Sequence, residues 1–135
     1  MIAFLTSCNN EKADQKKAQE EIMKDHDELM AQMDKIMTNK SMLMKLENHL
    51  DSLKMKDAAL DTAKLKLEIE ALKADLASSN DAMMTWMHRF NPDFTGKKHQ
   101  EVMDYLKDQK IKVDSVKTIF NESISKSDAL ISKYN

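Results

Sequence analysis

One glycine, Gly96, and one proline, Pro92, in 135 residues leave this chain almost no means of turning tightly. Hairpins draw on glycine, asparagine and proline at fixed turn positions, and parallel sheets need a turn at every crossover. A sandwich, a barrel or a doubly wound sheet is thereby excluded, as are the glycine-rich loops that cradle phosphates. Disorder is excluded by a different observation. Apolar residues make up 41% of the chain and recur at helical spacing among 33% charged ones, a periodicity that disordered segments lack. The chain is one domain's worth of sequence, and it reads as an all-α protein of a few long helices.

Three helices follow from the spacing. An aliphatic stripe repeats every seven residues at Ile22, Leu29, Ile36, Leu43 and Leu50, with a methionine stripe one position later at Met23, Met30, Met37 and Met44. With Met33, Leu46 and Leu53 they form a broad apolar face and predict a first helix over about 12–55. Leu65, Ile69, Leu72, Leu76, Ser79, Met83, Trp86 and Phe90 step by four and three, a heptad seam with one polar member at Ser79. That second helix, about 58–90, stops at Asn91-Pro92 because proline disfavours helix in the residue before it. The third, about 98–134, carries Val102, Leu106, Val113, Val116, Phe120, Ile124, Leu130 and Ile131, with a serine patch at Ser123, Ser125 and Ser127.

The first boundary is marked only by a phase slip. Leu43 and Leu50 point to position 57, which is Asp, whereas the next seam is in register with Ala58; Asp57 is then the expected N-cap. A turn there closes the segments into an up-down-up antiparallel three-helix bundle. Without it, residues 12–90 would be one rod of roughly 120 Å at 1.5 Å per residue.

Charge removes one class of partner. Twenty-one basic residues face 23 acidic ones, and Arg89 is the only arginine. Nucleic-acid binding calls for a basic stripe with arginine forks and aromatic platforms; the intermixed Lys16, Lys17, Glu20, Glu21, Lys24 and Asp25 instead form a solvated helix face.

The first residues read as an address. Leu5-Thr6-Ser7-Cys8 closes an apolar opening and is followed by polar Asn9-Asn10-Glu11-Lys12. This resembles a bacterial lipobox, in which small residues fit the signal peptidase and the cysteine thiol takes the diacylglycerol. Residues 1–7 are then the remnant of a lipoprotein signal peptide, with its basic opening expected upstream, 8–20 a lipidated tether and 21–135 the bundle. A lone cysteine supports no disulfide framework. Acyl chains contribute roughly 0.8 kcal/mol per buried CH₂, enough together for stable anchoring.

Methionine supplies 12 residues, in clusters. A hairpin centred near Asp57 sets Met30 opposite Met84 and His26 opposite His88, and a second turn near Phe94 brings Met103 opposite Trp86. His26, Met30, Met83, Met84, Met87, His88 and Met103 would then share one end of the bundle. Thioethers with imidazole suit a soft ion, Cu(I) or Ag(I). The competing reading is core: methionine fills irregular gaps and packs on aromatic rings such as Trp86 and Phe90. A zinc site is not expected, since His26 and His49 are followed at i+4 by Met30 and Leu53. No serine sits in a nucleophile elbow, and no carboxylate spacing marks a catalytic pair, so an enzyme is not expected and no resident cofactor is required.

His26-Asp27-Glu28-Leu29-Met30, Ala82-Met83-Met84-Thr85-Trp86-Met87 and Tyr105-Leu106…Gln109-Lys110, together with the lipobox, resemble a group of short Bacteroidota lipoproteins often labelled "viral A-type inclusion protein". The resemblance implies a lipid-anchored outer-membrane protein, on the periplasmic or surface face, with coiled-coil-like helices. The sequence expectation is a structural or protein-interaction module of the envelope, partnered by the membrane through its lipid and by an envelope protein or a second copy, without nucleic acid. The alternatives are a soft-metal or stress protein using the Met/His end, and a chaperone-like clamp.

Overall fold

The computed structural model describes residues 7–134, with side chains from residue 10 onward. Residues 1–6 and the Cys8 side chain, on which the lipobox reading falls, lie outside the described part. Four helices follow in order: α1 (Ser7–Asn48), α2 (Leu50–Lys56), α3 (Thr62–Arg89) and α4 (His99–Tyr134). Every described element is helical, so the all-α expectation holds.

The two reversals are built differently. At His49 the helix tightens, with the His49 amide bonded to the Leu46 carbonyl and His49 Nδ1 donating to the Lys45 carbonyl at 2.6 Å. The single first helix expected over 12–55 is thus two, α1 and α2. The Asp57 carboxylate accepts from the Ala59 amide, and Lys54 Nζ donates to the carbonyls of Ala58 and Leu60, both at 2.7 Å. Asp61, not Asp57, caps α3 by accepting from the Lys64 amide at 3.0 Å. The helix therefore begins four residues after the expected start, because Asp57 is spent on the turn itself.

In the second reversal, Asn91 and Asp93 accept from the amides two residues on, and Gly96 adopts φ +74°, a conformation that favours glycine. Glu101 reaches back and accepts from the Lys98 amide at 2.8 Å, one half of a capping box, at the start of α4.

Cross-helix pairs define the topology. Asp25 meets Lys110, and Asn39 meets Ser127, so α1 and α4 run parallel. Trp86 meets Gln109 and Ser79 meets Ser123, so α3 runs antiparallel to α4. The bundle is up-down-up. Between the helices lie Ile22, Leu29, Ile36 and Leu43 from α1, the α3 seam from Leu65 to Trp86, and Val102, Leu106, Val113, Val116, Phe120, Leu130 and Ile131 from α4, all buried. The stretch read as a tether is helical from Ser7, and Gln15 Nε2 already lies 3.0 Å from His99 Nδ1 on α4.

Candidate functional site

The methionine stripe of α1 does not face the core. Ile22, Leu29, Ile36 and Leu43 occupy the inward seam at 1% exposure or less, which turns the next position outward. Met23, Met30, Met37 and Met44 are consequently 37–62% exposed. At 1.5 Å per residue they form a row of roughly 30 Å. Half-buried His26 and Glu47, each three residues beyond a row methionine, contact α3 at Trp86 and Lys73. The row therefore lies along the outer edge of the α1/α3 seam. Met84, 41% exposed, lies on the α3 side at about the level of Met30.

The end of this seam is aromatic. The His26 ring lies 6.1 Å from the Trp86 ring, Trp86 5.3 Å from Phe90, Phe90 6.2 Å from Tyr105, and Tyr105 6.0 Å from Phe94. Trp86 Nε1 donates to the buried Gln109 Oε1 at 3.1 Å, and the Tyr105 hydroxyl accepts from the Asn91 amide at 2.8 Å. This chain of rings ties the second loop to all three long helices.

The seven residues expected to share a soft-metal site occupy different environments. Met83 is fully buried in the core, and Met87 is half-buried against it. Met30, Met84 and His88 are exposed. His26 is half-buried, its Nδ1 2.9 Å from an Asp27 carboxylate oxygen and its ring against Trp86. It therefore faces Trp86 and not His88, because Trp86 takes the inward position of the heptad while His88 projects outward. Met103, half-buried, is not opposite Trp86 either. The Trp86–Gln109 and Phe90–Tyr105 pairs place the centre of the second hairpin between residues 97 and 98, beyond Phe94. Met103 is thus level with the start of the loop. Among the described residues no group of three or more His, Cys, Asp or Glu is placed to hold a metal ion.

Two polar constellations inside the bundle were not legible as sites. Asp25, nearly buried on α1, accepts from Lys110 at 2.8 Å and Lys117 at 3.1 Å, and Lys117 also pairs with Glu28 at 2.5 Å. The Lys110 hydrogen bond, reinforced by Lys117, holds the Asp25 carboxyl below its usual value against the opposing effect of burial. Asp114 and Asp25 raise Lys110, and Glu28 and Asp25 raise Lys117.

Further along, Asn39 Nδ2 donates to Ser127 Oγ and to an Asp128 oxygen, both at 2.8 Å, and Lys35 pairs with the same Asp128 at 2.8 Å. Ser79 and Ser123 hydroxyls lie 2.8 Å apart beside the Asp75 carbonyl. Asn39, Ser79, Ser123 and Ser127 are buried, so the polar lapse of the second helix and two members of the serine patch of the third belong to one layer across the bundle, while Ser125 is exposed. Such layers fix helix register.

Comparison with family models, with curated proteins and with solved structures found no match.

Proposed function

We propose that this protein is a lipid-anchored module of the bacterial outer membrane, joined to the bilayer through Cys8, whose methionine-lined α1/α3 face docks a partner protein of the envelope. One observation carries the docking role: Met23, Met30, Met37 and Met44 stand in a solvent-exposed row at heptad spacing, with Met84 on the adjoining helix. An aligned apolar row is more than the scattered exposed hydrophobics of an ordinary surface. Thioethers are flexible and polarizable, and protein surfaces that accommodate partner helices use them for that reason. The lipobox resemblance supports the anchoring, and no described helix is long and apolar enough to cross a membrane.

The test uses the lipidated protein in its own envelope, with a photo-crosslinking residue at Thr38 beside the row. A discrete adduct is expected, and Met30→Glu with Met37→Glu should abolish it while helicity is retained. An adduct that survives both substitutions would refute the docking role. A second reading, soft-metal binding, is favoured by the His26 ring lying beside the only tryptophan, with the Met30 thioether one helical turn further along α1. It requires that Ag(I), standing in for Cu(I), quench Trp86 saturably and that Met84→Leu with His88→Leu remove the effect.

A further inference from the structure

On the opposite side of α3 from the methionine row, a groove of about 510 Å³ opens between α3 and α4. It holds the chain's only arginine and only tryptophan. Ala82 and Val116 supply apolar wall, and Trp86 and Tyr105 supply ring surface. The Trp86 indole is fixed by its bond to Gln109, so this wall is preorganised and ordering it costs little on binding. The volume falls in the range of small-molecule sites.

The charges are unequal. Lys112 and Asp108 line the groove and pair with each other at 2.6 Å, which leaves that pair neutral. Arg89 forms no ion pair among the described residues. Its guanidinium presents a planar fork of donors whose natural complement is a carboxylate bound through both oxygens. In a chain whose other 20 basic residues are lysines, the one fork stands where apolar wall and rings converge.

We infer that this groove is a binding site for a small organic carboxylate, its acid group on Arg89 and its planar or apolar body against Tyr105, Ala82 and Val116. The site is independent of the methionine row. Benzoate is the minimal probe, and the single indole N–H of Trp86 in a nitrogen–proton NMR spectrum is the readout. Benzoate should shift that peak saturably with a Kd of about 1 mM, the range open to so few atoms. Arg89→Ala should raise the Kd about ten-fold or more, and Arg89→Lys, which keeps the charge but loses the fork, about three-fold. Benzamidine, the same ring with a positive head, should leave the peak in place. The variants lie at an exposed position and keep the fold, which the remaining amide peaks report. The proposal is overturned by no saturable shift up to about 50 mM, by equal shifts with benzamidine, or by an Arg89→Ala protein that binds benzoate as tightly as the unaltered one.

Discussion

Asn39→Leu should make this protein more stable. Asn39 is fully buried, and its amide donates to Ser127 and Asp128 while its Oδ1 is buried with no partner. The substitution loses one neutral hydrogen bond of about 1 kcal/mol and one to a carboxylate of about 1.5–3 kcal/mol. Neither former partner is stranded, because Ser127 Oγ still donates to the Ser123 carbonyl at 2.7 Å and Asp128 keeps Lys35. Against that loss, the unpaired carbonyl oxygen disappears, worth about 1–3 kcal/mol, and a leucine side chain is buried, worth about 1.5–3 kcal/mol. The balance favours leucine by about 1 kcal/mol. For a chain of this size Tm should rise by about 3–5 °C. Asn39→Ala loses the same bonds, leaves a void, and should cost about 1–2 kcal/mol. Urea unfolding followed by far-ultraviolet circular dichroism measures both. A loss of more than about 1 kcal/mol in Asn39→Leu would show that the layer is worth more than leucine packing can replace, and would refute the reasoning.

Leu29→Ala, at a position with no exposure, should cost about 2–5 kcal/mol in the same assay. The Asp25 cluster sets a pH window. The lowered Asp25 carboxyl stabilises the fold above its unfolded value near 3.8 and loses that contribution as pH falls through the lower folded value. The raised Lys110 and Lys117 stabilise it below about 10.5 and lose it as pH rises through their higher folded values. Thermal unfolding should therefore be flattest between those limits, and Asp25→Asn should cost about 1–2 kcal/mol at neutral pH and less at pH 3. Expressed in its own cell, the protein carrying Cys8→Ala should incorporate no lipid probe and be released from membranes; unchanged labelling would refute the anchor. Ag(I) titration should give no saturable quenching of Trp86, with Met84→Leu and His88→Leu without effect, since Met83 belongs to the core and His88 faces solvent.

The long apolar seams were legible because burial on a helix needs only a period. Leu65, Ile69, Leu72, Leu76, Met83 and Trp86 are buried as their spacing requires. The first turn was less legible because Asp57 and Asp61 carry the same local signal, and only the three-dimensional turn decides which one caps. The methionine stripe belongs to the broad apolar face that the spacing defines, yet it stays exposed; a helix packed between only two neighbours buries a narrower strip than its apolar residues cover. Asp25, Asn39 and Gln109 carry no sign of burial in the sequence, since each depends on the register of α4 against a distant helix. Arg89 gave a compositional signal, as the lone arginine, but its groove exists only once α3 meets α4.

Because the bundle has an odd number of long helices, α1 begins at one end and α4 finishes at the other, roughly 60 Å away at 1.5 Å per residue. Tension applied between those ends would pull α1 and α4 in opposite directions along their shared axis. The Asp25, Lys35–Asp128 and Asn39–Ser127 connections lie side by side across that slip plane. They would be strained together instead of opening one after another. Stretched end to end, such a bundle yields by shear, as a stiff strut does, and not by unzipping like a hairpin.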